Sequence, residues 1–389
     1  MYTLMYILVI GKLFQLKNVW RGFWMTENKT FKIAVIPGDG IGEEVIEAGL
    51  EVLNHIEKES NGKYTFTYDF FPWGCEYYLK HGKMMDEDGV EKLRNYDAIY
   101  FGAVGDPRVP DHVSLWGLRL AICQGLDQWA NIRPVEFLPG VPRRLNHPNV
   151  DNLNWILIRE NSEGEYSGLG GRNFSGRGDG KEVALQTAVF SEYGTERIIR
   201  YAFDLARTRK RKKVTSVTKS NAQQYGMVLW DEIFERVSQD YPDVETDQWL
   251  VDAMAARFVL NPEDLEVVVA SNLFADILSD LGSALAGSLG IAPSANLNPE
   301  RRTPSMFESV HGSAPDIAGK GIANPIGTIG SAALMLDHIG LKEEAEQVNQ
   351  AIRETTRQGI LTRDIGGTHN TKDVTNAIIA NLSKVKVKA

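Results

Sequence analysis

The chain has 389 residues, 43% hydrophobic and 24% charged, enough to bury one large core or two closely joined ones. A formal net charge of −9 excludes a basic surface built to grip a nucleic-acid backbone or an anionic membrane. With only Cys75 and Cys123, the chain has too few thiols for a disulfide framework or a thiolate zinc site, which suits a reducing compartment such as the cytoplasm.

Residues 1–24 stand apart, carrying Lys12, Lys17 and Arg21, no acid, and an apolar run over 4–10 only. That run is too short to span a bilayer and no small-residue cleavage site follows it, so neither an anchor nor a secretory signal is expected. Two readings remain: a basic mitochondrial transit peptide, or an over-extended start with Met25 as the first residue. From Phe31 onward, FKIAVI, YDAIYFG, LNWILIRE, KVTSVTK and LEVVVASN read as buried strands, and 42–58 and 195–207 as helices. This is an α/β layout with a largely parallel sheet, and without a Pro/Gly-rich linker any two domains must be interleaved. The basic run RTRKRKK (207–213) reads as a solvated helix end, where cations suit the macrodipole.

Five segments carry chemistry, taken in chain order. PGDGIG (37–42) lies between a strand and a helix, but its G-x-G-x-G spacing is a weak dinucleotide fingerprint and a tight turn explains it better. Arg133 in NIRP and Arg159 in IRENSEGEY stand at strand ends and offer bidentate contacts to carboxylates, with Tyr166 nearby as a proton donor. Lys219 and Asn221, in TKSN, follow a buried strand, where a side chain points into the usual ligand crevice of an α/β sheet. In SNLFADILSDLGSALAGSLGIAPS, Asp276 and Asp280 share one helix face, where two like charges call for a cation; hard oxygens suit Mg²⁺ or Mn²⁺, and Asp252 in the strand-like WLVDAM is a third ligand. The loop ESVHGSAPDIAGKGIANP (308–325) exposes backbone donors beside His311 and Asn324.

Together these segments resemble the isocitrate, 3-isopropylmalate, tartrate and D-malate family of β-decarboxylating hydroxyacid dehydrogenases, from about Phe31 to the C-terminus. DHVSLWG and PSANLNPER have the flavour of the tartrate/D-malate branch. The resemblance implies an isopropylmalate dehydrogenase-like, non-Rossmann two-domain α/β fold with a large mixed or parallel sheet: a large cofactor domain of residues 25–130 plus 288–389, and a smaller central substrate, metal and dimerisation domain of residues 131–287. PGDGIG becomes a structural turn beside the cofactor groove. It further implies a homodimer with a shared site, Asp276 and Asp280 coming from one subunit and Asp252 and Lys219 from the other. In that site Arg133, Arg159 and Asn221 bind a small dicarboxylate, Lys219 takes the 2-hydroxyl proton, NAD takes the hydride, and Tyr166 reprotonates the product of decarboxylation. Glu308, His311, Gly312 and Asn324 match the adenosine-binding loop, and Asp316 the acid that selects NAD over NADP. Mg²⁺ or Mn²⁺ is the expected metal, with K⁺ a further ion.

One departure stands out. Where relatives carry an arginine four residues before Asp127, with a basic neighbour, this chain has Cys123 and Gln124. Loss of that guanidinium costs about 1.5–3 kcal/mol of carboxylate binding, and Arg119, one helical turn earlier, is expected to supply the charge from a shifted position. The main expectation is oxidation and decarboxylation of tartrate or D-malate. The alternatives are an alkylmalate such as 3-isopropylmalate, which a guanidinium at Arg119 disfavours, and a catalytically silent regulatory subunit, which Cys123 favours and the retained Lys219, Tyr166 and aspartates oppose.

Overall fold

The computed structural model describes residues 29–147 and 153–384, so the segment 1–24 and both of its readings lie outside the described residues. Ten strands form one sheet in the order β2-β1-β3-β12-β11-β4-β5-β10-β8-β9. Their ranges are β1 Lys29–Gly38, β2 Tyr64–Phe70, β3 Ala98–Ala103, β4 Ala130–Glu136, β5 Asn154–Glu160, β8 Lys213–Thr218, β9 Glu245–Leu250, β10 Val267–Ala270, β11 Pro293–Leu297 and β12 Ser305–Ser309. A separate hairpin pairs β6 (Gly170–Asn173) with β7 (Val183–Gln186).

The five apolar runs fall on β1, β3, β5, β8 and β10, and β3 and β10 are buried along their whole length. The flanks of the sheet are parallel as expected, but its centre is not: β12–β11, β11–β4 and β4–β5 pair antiparallel. For β11 and β12 the reason is the connection, which is too short for the crossover a parallel pair requires. Strands from the two ends of the chain make the half β2-β1-β3-β12-β11, strands from its middle make the rest, and the halves join at β11–β4. Helices Gly42–Glu59, Ile326–His338, Lys342–Arg357 and Thr371–Leu382 pack on one another. Among the described residues no helix is long and apolar enough to cross a membrane.

The turn after β1 shows why PGDGIG is structural. Gly38 and Gly40 have φ of +72° and +59°, and a Cβ on Gly38 would lie 1.9 Å from the Ala103 carbonyl oxygen. Its backbone donors are occupied as well: Asp39 N–H donates to Ala103 O, Ile41 N–H to Ser313 O and Gly42 N–H to Asp39 O. The Asp39 carboxylate accepts from the N–H groups of Cys75 (2.7 Å) and Gly105 (2.9 Å), so the turn ties three segments together rather than offering donors to a phosphate.

Two local readings change. WLVDAM is not one strand: β9 ends at Leu250, and Asp252 sits in the first turn of the helix Val251–Leu260, where an acid suits the helix N-terminus. The basic run does begin at a helix end, Arg207, but several of its members are anchored: Arg207 pairs with Asp243, Arg211 donates to carbonyls of Glu263 and Leu265, and Lys213 pairs with Glu245 and Asp247.

Candidate active site

Arg133 and Arg159 lie on neighbouring antiparallel strands, β4 and β5, in a register that sets Asn131 opposite Arg159. Arg133 is two residues from Asn131 and therefore projects from the same sheet face as Arg159. Across that face lies the helix Asn272–Ala286. Its Asp276 binds Arg159 Nη1 through Oδ1, and Arg133 Nη1 lies 3.3 Å from the same oxygen. The Tyr166 hydroxyl donates to Asp276 Oδ2 at 3.2 Å, and the Arg159 guanidinium lies 5.3 Å from the Tyr166 ring centroid.

Residues one layer back aim these groups. Arg159 donates to Asn272 Oδ1 through Nε (2.9 Å) and Nη2 (2.7 Å), and Arg133 donates to Asn131 Oδ1 and Ser279 Oγ at 2.9 and 2.6 Å. The loop that carries Tyr166 is fastened by buried Glu160, whose carboxylate accepts from Ser162 N–H and Oγ–H and from Glu163 N–H. Gln124 Nε2 donates to the Tyr166 carbonyl at 3.0 Å and so supports the segment that carries the tyrosine. Sequence reasoning passed over Asn131, Asn272 and Ser279, although each stands inside a motif it used.

The charges follow from this packing. Burial raises the Asp276 carboxyl, but Arg159 and Arg133 outweigh it and hold the group below the usual carboxylate range. Burial and the neighbouring Arg159 push Arg133 down to about 10, still cationic at neutral pH. Burial, reinforced by Asp276, pushes the Tyr166 phenol up, so it keeps its proton.

Arg119 and Glu308 meet across the fold. The helix that carries Arg119 runs as an α-turn Asp111–Ser114, a π-helical turn Leu115–Arg119 and an α-turn Leu120–Gly125. Arg119 Nε donates to Glu308 Oε1 at 2.8 Å, Nη2 lies 2.6 Å from the same oxygen, and Nη2 also reaches Asn296 Oδ1 at 3.3 Å. The side chains are only 11% and 7% exposed. Arg119 is thus a neutralised cation rather than a free one, and Glu308 lies within β12, in a buried ion pair, rather than out in the loop. Cys123, expected in place of a substrate arginine, is a buried thiol pushed up to about 11 by desolvation.

One cleft of about 190 Å³ is walled by Arg119, Arg133, Arg159, Tyr166 and Asp276 and continues along β3 to Glu308, His311 and Gly312. Burial pushes the His311 imidazole down, so its ring is neutral at pH 7. Nδ1 lies 2.9 Å from the Gly312 carbonyl, which can only accept, so Nδ1 carries the proton and Nε2 accepts from the Ser309 hydroxyl at 2.7 Å. Asn324 is buried and holds the loop, donating to Asp364 at 3.0 Å and accepting from Ile326 N–H, while Asp316 is exposed.

Lys219 and Asp252 form their own pair at 2.6 Å, with Asn221 exposed beside them. They do not line this cleft. Among the described residues no three His, Cys, Asp or Glu side chains converge as a metal site. Asp276 and Asp280 nevertheless fit a hard divalent cation in chemistry: Asp280 has its nearest cation, Arg133 Nη1, at 3.9 Å, and burial pushes its carboxyl up.

The chain matches the family model described as "Isocitrate/isopropylmalate dehydrogenase" over residues 32–378. It is 57% identical over 350 residues to a protein named probable tartrate dehydrogenase/decarboxylase of Agrobacterium vitis, covering 90% of this chain and 95% of that one. It is 50% identical over 357 residues to the D-malate dehydrogenase [decarboxylating] of Escherichia coli strain K12, covering 90% and 98%. The crystal structure of isocitrate dehydrogenase from Methylococcus capsulatus superposes with a TM-score of 0.80 at 34% identity, covering 90% of this chain and 99% of that one.

Proposed function

The chain belongs to the isocitrate/isopropylmalate dehydrogenase family, and from that premise we propose that it oxidises and decarboxylates a small 2-hydroxy diacid of the tartrate or D-malate type, with NAD as hydride acceptor. The observation that carries this is the convergence of Arg133, Arg159, Asp276 and Tyr166 at one end of a cleft whose other end is the His311–Gly312 loop. Relatives named for tartrate and D-malate oxidation align over nine-tenths of the chain.

Arg133 and Arg159 hold a substrate carboxylate through charge-assisted hydrogen bonds. Asp276 and Asp280, with Asp252 of the partner subunit, would hold a divalent cation, for which Mg²⁺ and Mn²⁺ are the candidates and K⁺ the monovalent ion to test beside it. When bound, NAD⁺ would supply the hydride acceptor for C2 and the divalent cation would supply Lewis-acid stabilisation of the developing ketone. Lys219 takes the hydroxyl proton. The C3–carboxylate bond then breaks, its electron pair stays at C3, and the protonated Tyr166 delivers a proton there. His311, Gly312, Asp316 and Asn324 line the cofactor side.

A homodimer with shared sites belongs to the same reading, as does the division into residues 25–130 plus 288–389 and 131–287. Lys219 and Asp252 lie apart from the arginines within one chain, and the centre of the chain exposes Leu185, Leu260 and Ile277 at 69, 70 and 57%. The test is NADH formation with Mn²⁺ on D-malate, the tartrates and 3-isopropylmalate. Turnover abolished by EDTA is expected; a folded, NAD-binding protein inert on every diacid would refute the reading.

A further inference from the structure

A second cavity, of about 250 Å³, opens where the parallel strands begin rather than where they end. Its wall takes Lys29 from the start of β1, Asp97 from just before β3, and Arg301 and Arg302 from the turn that leads into β12. The cleft of Arg133 and Arg159 lies at the other ends of β3 and β12. Those strands have 6 and 5 residues, which sets the two cavities roughly 15–20 Å apart.

Cations outnumber acids in this wall: Lys29, Arg94, Arg301 and Arg302 face Asp97 alone. Asp97 is already engaged, accepting from Lys32 N–H at 2.8 Å. Arg94 is likewise held, by Glu91 at 3.0 Å and by the Gly125 carbonyl at 2.8 Å. Lys29, Arg301 and Arg302 form no ion pair with a carboxylate of the described residues. Glu300, next in sequence to Arg301, turns instead to Trp129, accepting from Nε1 at 3.1 Å.

The turn holds both arginines in place. Arg301 has a φ of +55°, a left-handed backbone that disfavours a residue other than glycine. Asn298 keeps it there: its carbonyl accepts from Arg301 N–H and its side chain from Arg302 N–H, both at 2.9 Å. Both side chains are exposed, so this strain serves no core packing. His338 completes the wall without a hydrogen bond to any described residue, and burial, helped by the charge of Arg301, keeps its ring neutral. Unpaired cations so close together repel one another, and an anion between them relieves that repulsion. Guanidinium forks match a tetrahedral oxyanion in bidentate fashion.

We propose that this cavity is a second binding site, for a small oxyanion of two negative charges such as phosphate or the phosphoryl group of a metabolite, gripped by Arg301 and Arg302 with Lys29 beside them.

The test titrates the full chain at low ionic strength with inorganic phosphate, sulfate, glycerol 3-phosphate and chloride, as wild type and as Arg301→Asn/Arg302→Gln. Asparagine tolerates the left-handed backbone, and neither arginine lines the cleft, so the urea midpoint and NADH formation should match wild type. The cleft arginines are the same in both proteins, so ions bound there cancel in the comparison. Wild type should bind phosphate and sulfate at a site that the variant lacks or holds at least about 10-fold more weakly. Added salt should weaken that binding, and chloride at equal concentration should not replace it. Tighter glycerol 3-phosphate than phosphate would make a phosphorylated metabolite the occupant; the reverse would make it the free ion. In wild-type crystals soaked in selenate, an anomalous selenium peak should lie within hydrogen-bond reach of Arg301 and Arg302, a readout independent of any variant. Identical isotherms for the two folded proteins, or crystals with no selenium peak in this cavity, would overturn the site.

Discussion

At the scale of single residues, each arginine of the cleft is aimed by a neutral amide or hydroxyl and faces a carboxylate. Arg159→Gln leaves Asp276 with a weaker partner and the substrate without a guanidinium, so kcat/KM for the best diacid should fall on the order of 100-fold, read by steady-state kinetics. Tyr166→Phe removes the retained phenol proton while keeping the ring over Arg159. It should lower the decarboxylated product by roughly 10²-fold or more relative to NADH formed, measured by quantifying both. His338 gives a pH dependence outside the cleft. Burial, with help from Arg301, pushes it down to about 4, below its ordinary 6.5, so the unfolded chain takes up the proton first. The stability of the neutral ring is complete above pH 6.5 and is lost as pH falls from 6.5 toward 4. His338→Gln should therefore flatten the fall in urea-unfolding free energy between pH 7 and 4.5 by up to about 3 kcal/mol.

At the scale of elements, short spacing rules account for what was legible. The interval of four between Asp276 and Asp280 does place both on one helix, and the apolar runs do become the buried strands. The helix Thr371–Leu382 starts at a complete capping box, in which Asn370 Oδ1 accepts from Asp373 N–H at 2.8 Å and the Asp373 carboxylate accepts from Asn370 N–H at 3.1 Å. Asn370→Ala should cost about 1 kcal/mol of unfolding free energy, seen as a lower denaturant midpoint with the m-value unchanged. The π-helical turn was not legible, because LWGLR has ordinary helix formers on both sides and nothing in its spacing requires an i→i+5 bond.

At the scale of the whole molecule, the question is where Lys219 meets the arginines. In the shared-site reading, Lys219→Met and Asp276→Asn are each inactive alone, but equal mixing after co-refolding yields heterodimers with one intact site. About a quarter of wild-type turnover should return. If both residues serve a site within one chain, every mixture stays inactive, so the experiment separates the two arrangements by presence or absence of NADH formation.

What the sequence determined by itself was the chemical inventory and its local phasing: cations at the ends of buried strands, two acids on one helix face and a turn of three glycines. These are facts about neighbours within a turn or a strand, which period and propensity encode. Only the tertiary structure decided the partners. Arg119 and Glu308 are 189 residues apart and Gln124 and Tyr166 are 42 apart. They meet because β12 pairs with β3 and the antiparallel strands β11 and β4 follow, a sheet order that no local pattern specifies. A side chain's charge is written in the sequence, but whether that charge is free or neutralised depends on which acid the fold sets beside it.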